Sequence, residues 1–214
     1  MKLKRQMNMR WLYILAWSFF NIYVSGCASI QGAGDIARGR QALIEGNNQA
    51  ALGYFQAANQ VDPTYIYGAD LQEGVLSYLG RAQYLTGNYA QAQQTLEKAL
   101  SQHNADSIAR LYLGLTLARQ GDTQKGLLDI DQGMKGIHDF IDYTAGTFRF
   151  GYGQYWDTSR DIRSAIEKDR AMIASGKVDW PALTADGESI ALKAEQEPDQ
   201  ARQNQRRQQS ITAD

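Results

Sequence analysis

Leu79-Gly80-Arg81-Ala82-Gln83-Tyr84-Leu85-Thr86-Gly87-Asn88-Tyr89 opens a pattern that continues through Ala92, Leu96 and Ala99. Thirty-four residues further on, the same punctuation returns as Leu113-Gly114, Gly121-Asp122, Gly126, Ile130 and Gly133. A fixed period of this size marks a two-helix unit that stacks on copies of itself, because one helical hairpin cannot bury its apolar face alone. Such a unit holds a partner rather than performing chemistry.

The pattern extends towards the N-terminus. Ile36, Leu43 and Ile44 recur at helical spacing, and Gly46-Asn47-Asn48 breaks the run. Ala51, Leu52, Phe55 and Ala58 then share a face before Asp62-Pro63, where proline cannot continue a helix. These residues resemble the tetratricopeptide repeat family, whose unit has a small residue in its first helix, Gly at the turn and Ala early in the second helix. An aromatic or aliphatic residue follows four later, with a small residue three after it. Gly39, Gly46, Ala51, Phe55, Ala58 and Pro63 match in a first unit, residues 32–65. Leu76, Leu79, Gly80, Gly87, Tyr89, Ala92, Leu96 and Ala99 match in a second, 73–106. Leu113, Gly114, Leu117, Gly121 and Ile130 match in a third, 107–140, with Gly126 and Gly133 standing where alanine is expected.

The small positions are expected where helices of one unit and the next cross, and a bulky side chain there would push the axes apart. Glycine keeps that room but weakens a helix by about 1 kcal/mol relative to alanine, so the third unit fits least well. The first two turn glycines are 41 residues apart rather than 34. The excess falls around Thr64–Leu71, as a lengthened loop or an extended helix, at small entropic cost. Tyr65 and Tyr67 in it offer either a contact site or helix-end packing.

Past Asp139 the period is lost. Residues 140–156 hold Phe140, Tyr143, Phe148, Phe150, Tyr152, Tyr155 and Trp156, with Gly146, Gly151 and Gly153 among them. Asp157 or Ser159 then caps a helix carrying Ile162, Ala165, Ile166, Met172 and Ile173 on one face. Asp179-Trp180-Pro181 starts another, with Leu183, Ile190, Ala191 and Ala194 inward. From Glu195 the composition is Gln- and charge-rich with Pro198, which reads as a solvated tail.

The first 26 residues are not fold. Lys2, Lys4, Arg5 and Arg10 precede a mostly apolar run, Trp11 to Val24, that is short for a membrane span. The run ends in Val24-Ser25-Gly26-Cys27, which resembles the lipobox of bacterial lipoproteins. Small residues admit the peptidase, and only a thiol gives the thioether to diacylglycerol. The resemblance implies cleavage before Cys27 and acylation of it. With Ala28 following, it also implies sorting to the outer membrane of a Gram-negative envelope. An ordinary signal peptide or an uncleaved anchor is the alternative. Cys27 is the only cysteine, so no internal disulfide competes for it. The leader holds four of the 22 basic residues and no acid, so without it the formal charge moves from −1 to −5. That balance argues against nucleic acid as ligand.

No motif in the chain carries a catalytic mechanism. His103 and His138, placed near the ends of second helices, suit helix C-termini, and neither has a second ligand at metal spacing. Asp129, Asp131 and Gly133 make half of a calcium loop at most. There is no phosphate-binding glycine loop with its lysine. The expectation is a protein that is not an enzyme, with no metal, no cofactor and no small-molecule substrate.

In the family that the repeats resemble, the first helices line a concave face. Carried over, Arg40 and Leu43 face the groove in the first unit, Ser77, Arg81 and Tyr84 in the second, and Ile108, Leu111, Leu115 and Arg119 in the third. Arg40, Arg81 and Arg119 with Tyr84 form a ladder suited to an acidic peptide or a terminal carboxylate, because a guanidinium grips a carboxylate with two hydrogen bonds. The other reading is three solvated arginines on exposed helix faces. The third unit's groove is apolar and needs a cover, for which the aromatic stretch is the nearest candidate, burying Trp156 and Ile166 there.

The reading is therefore all-α: a leader (1–26), a tether (27–35), a tetratricopeptide-like solenoid of about three repeats (36–139), an aromatic segment with capping helices (140–194) and a polar tail (195–214). The resemblances imply a lipid-anchored periplasmic adaptor that presents its groove to an envelope protein or peptide. Two other roles share these features: a pilotin-like assembly lipoprotein for an outer-membrane secretion or pilus complex, and an accessory recruiting a peptidoglycan hydrolase.

Overall fold

The computed structural model describes residues 31–68 and 71–212. Residues 1–26, read as a leader, and Cys27 lie outside them. The chain is an all-α solenoid of stacked helical hairpins: α1 (31–44) with α2 (Asn48–Val61), α3 (Val75–Leu85) with α4 (Tyr89–Gln102), and α5 (Ser107–Arg119) with α6 (Thr123–Thr147). A 3-10 turn (Tyr152–Tyr155), α7 (Asp161–Ala174) and α8 (Trp180–Thr212) complete it.

Each hairpin turns in the same way. Gly46, Gly87 and Gly121 take φ of 75°, 80° and 97°, a region that side chains disfavour. The next residue's N–H reaches back five residues: Asn47 to the Ala42 carbonyl, Asn88 to Gln83 and Asp122 to Leu117. This is the Schellman closure of a helix. Asn47 and Asp122 then cap the following helix, accepting from the N–H groups of Ala50 and Lys125.

Within each hairpin the helices cross at a small residue against a large one sixteen positions later. A Cβ on Gly39 would stand 2.4 Å from the Phe55 ring, one on Gly80 2.5 Å from Leu96, and one on Gly114 2.5 Å from the Ile130 backbone nitrogen. In the third unit the approach is backbone to backbone, since Gly126 meets the Gly114 carbonyl and Gly133 meets Leu111. The glycines that weaken α6 intrinsically are what let it lie flush on α5.

Several boundaries differ from the sequence reading. Gln31–Asp35, read as a tether, forms the opening turns of α1, where Gly32 meets Val61 and Asp35 is buried. The seven-residue excess is neither a plain loop nor a helix extension: Ile66–Tyr67 and Glu73–Gly74 pair as a two-residue antiparallel ladder. The limit at Asp139 falls inside α6, which runs 25 residues to Thr147. His138 is thus mid-helix, facing Glu167 at 3.2 Å, while His103 does cap α4.

The largest difference is at the C-terminal end. The residues read as a polar tail continue α8 through Pro198 as far as Thr212, and Glu195, Glu197 and Ala201 are buried. Leu183, Ile190, Ala191, Ala194 and Ala201 form one stripe within the main core. That core also holds Leu111, Leu115, Ile137, Trp156, Ile162 and Ile166, while a second core joins α1 and α2 to α3. Phe140 packs edge-on against Trp156 with centroids 5.4 Å apart, so the aromatic segment seats on the distal half of α6. Asp157 accepts from the N–H groups of Ile162 and Arg163 and so caps α7.

Candidate functional site: the inner face of the repeats

The first helices α1, α3 and α5 supply the inner face, and α8 lies along it. Gly187 approaches Leu111 and Leu115, where an added Cβ would stand 3.5–3.6 Å from their methyls. The apolar floor of the third unit is therefore covered directly by α8 rather than by the aromatic stretch. Ser77, Arg81, Tyr84, Ile108, Leu111 and Leu115 are all buried.

Three of the four ladder residues engage α8. Arg81 Nη1 donates to Glu195 Oε2 at 2.5 Å and Arg40 Nε donates to Glu195 Oε1 at 2.8 Å, so one carboxylate sits between two guanidiniums. Arg40 Nη2 donates to the Glu195 carbonyl at 3.2 Å, one turn before Pro198 interrupts the helical ladder. Tyr84 donates to Glu188 Oε1 at 2.8 Å, seven residues and two turns earlier on α8. Arg119 stays exposed beside Tyr84, at a cleft of about 630 Å³ between the end of α5 and the first turns of α8.

Aromatic rings hold the guanidiniums in place. Arg81 lies over Tyr112 at 5.3 Å, and Arg40 lies over Tyr67 at 4.8 Å while donating to its hydroxyl at 3.2 Å. The small ladder in the insertion is what delivers Tyr67 to Arg40, and it brings Glu73 to the same end of the groove. Glu73 is buried with Oε2 unpaired. Burial first, then the charge of Glu195, pushes its carboxyl well above the usual range, against the pull of Arg81. Both arginines bond Glu195 rather than Glu73.

Nothing in this arrangement brings a nucleophile, a base and an electrostatic clamp together around an open volume. Asp129 and Asp131 face Arg110 and Arg170 from α6, not a common centre. Among the described residues no cluster of His, Cys, Asp or Glu is arranged to hold a metal ion, and no helix is long and apolar enough to cross a membrane. The sequence reading assigned Arg40, Arg81, Tyr84 and Arg119 to a partner groove, and three of them bond α8, whose residues from Glu195 on that reading left out of the fold. The signal of that continuation was present: Ala201 lies seven residues beyond Ala194, and Glu195 lies four beyond Ala191, on the same stripe.

Residues 42–112 match the family described as Tetratricopeptide repeat, a stretch that runs from the last residues of α1 through α2, α3 and α4 to the first half of α5. No curated protein and no solved structure matches the chain. The repeats place the molecule among helical solenoids that typically serve as non-catalytic protein-interaction modules.

Proposed function

We propose that this protein is a non-catalytic adaptor of the bacterial envelope, held at the membrane through acylated Cys27. Its repeat groove receives an acidic helix of an envelope protein in exchange for α8. The observation that carries this reading is the carboxylate of Glu195 gripped between Arg40 and Arg81. A groove floor with two paired guanidiniums, and Tyr84 two turns along, selects a helix that offers carboxylates at positions i and i+7.

Exchange is energetically plausible because both states pair the same charges. A buried ion pair contributes little net stability, whereas leaving its partner unpaired costs about 3–5 kcal/mol. An incoming acidic helix avoids that cost. It must still overcome the intramolecular advantage of α8, an effective concentration on the order of millimolar, by extra contacts elsewhere.

The test is crosslinked affinity purification from envelopes, comparing the native chain, Glu188→Ala with Glu195→Ala, and Cys27→Ser. Loosening α8 should raise capture of the partner several-fold, and Cys27→Ser should release the complex from the membrane fraction. Capture that is unchanged or lower with α8 loosened would place binding on another face. A large outer-membrane oligomer among the captured proteins would favour the assembly-lipoprotein role, and a hydrolase the recruiting role.

A further inference from the structure

Among the described residues, a cluster of exposed aromatic side chains lies away from the groove. Tyr143, Phe148 and Phe150 are 63%, 50% and 89% exposed at the end of α6 and the turn after it. Tyr143 and Phe148 meet edge to face at 6.4 Å, and Arg149 lies over the Phe150 ring at 4.7 Å. From Tyr143 to Trp156 the chain holds no carboxylate and a single charge, that of Arg149. The nearest acid before it, Asp142, is already paired with Arg163 at 2.8 Å.

The position of this tip says what it meets. The Gly74 N–H bonds the carboxylate of Asp106, so α3 and α5 begin side by side. The Val75 N–H bonds the carbonyl of Tyr65, just past Val61, and Gly32 of α1 rests on Val61. The starts of α1, α3 and α5 therefore share one end of the solenoid. Gly136 of α6 lies against Ser107, the first residue of α5. The eleven residues that follow carry α6 about 16 Å beyond that end. Only four peptide steps separate Cys27 from residue 31, a reach of at most about 14 Å. A lipid on Cys27 thus holds this same end, from which the aromatic tip projects beside the last turns of α8, within touching distance of the bilayer.

We propose that Tyr143, Phe148, Arg149 and Phe150 form a second membrane contact, inserted into the phospholipid interface beside the acyl anchor. The inference rests on the anchored reading of Cys27. Aromatic rings with a flanking arginine are the side chains that settle at the headgroup level. The contact also fixes orientation, because a lipid on a short tether plus a protruding tip define the solenoid's tilt.

The experiment uses the full chain acylated in cells and reconstituted in phosphatidylethanolamine–phosphatidylglycerol vesicles. Acylation blocks Cys27, so Phe150→Cys introduces the one free thiol, which takes a nitroxide label. Leu128→Cys, exposed near the start of α6, serves as the comparison. Electron paramagnetic resonance then measures access of oxygen, which enters lipid, against a nickel chelate, which stays in water. The expected result is one label per chain and an oxygen-to-nickel ratio several-fold higher at position 150 than at 128. Equal ratios overturn the contact and leave the anchor standing. Exclusion of both reagents at 150 also overturns it, because a protein surface then covers the tip. Two labels per chain show Cys27 to be free and withdraw anchor and contact together.

Discussion

Glu195 is a carboxylate in the middle of an apolar stripe, and the two arginines that justify it lie 155 and 114 residues earlier. Glu195→Ala strands Arg81, which is buried with no other acid bonded to it, and should destabilise the protein by about 3–5 kcal/mol. Urea denaturation checks this, with Glu195→Gln expected to lose less because it keeps the shape and one acceptor. The repeat pattern puts Arg40, Arg81 and Tyr84 on first helices, where the structure has them. Their partner was not legible, because a buried acid looks like a solvated one until its counter-charges are located in space. Asp169 is a second buried acid, on α7. Burial first, then Asp186 across the α7–α8 contact, push its carboxyl up to about 6, against the pull of Lys168. A folded pKa above the unfolded value of about 3.9 means the folded state holds the proton more tightly. Its contribution is full below the unfolded pKa and is lost as pH rises through 6. The difference in melting temperature between pH 4 and pH 7 should therefore be a few degrees larger, in favour of pH 4, for the native chain than for Asp169→Asn, which lacks this contribution.

At the scale of elements, the hairpins stand on close crossings. Gly114→Ala would drive a methyl to 2.5 Å from the Ile130 nitrogen and 2.6 Å from the Gly126 carbonyl, both backbone atoms that cannot rotate away. A loss of about 1–3 kcal/mol is expected, as for overpacked cores. Gly53→Ala in α2 meets nothing within 4 Å and should gain about 0.5–1 kcal/mol. Thermal melts of the two variants should move in opposite directions. The period marks the small residues, but the reading set them between successive units, whereas they meet the second helix of their own hairpin: Gly39 with Phe55, Gly80 with Leu96, Gly114 with Ile130. The full extent of α6 and α8 was not readable. Asp139 has no stop signal, and the end of the period was read as the end of the helix. Pro198 signals a break, but the contacts of Glu195 and Ala201 on either side carry α8 through it.

At the scale of the whole molecule, a solenoid that closes its own inner face behaves differently from an open one. Removing residues 180–214 should uncover Leu111, Leu115 and Ile108, and the shortened protein should bind a hydrophobic dye and aggregate where the full chain does not. The repeat architecture could be read from turn glycines and the 34-residue step because both are local. The self-occupied groove joins the two ends of the chain: the local spacing extends the stripe of α8 to Ala201 but does not say which surface that stripe covers. Hydrogen exchange of the free protein tests that closure most directly. Backbone amides of α8 between Glu188 and Glu197 should exchange as slowly as those of α3 and α5 beneath them. Exchange within seconds, at the rate of a lone helix in water, would show the groove standing open and contradict the closed inner face.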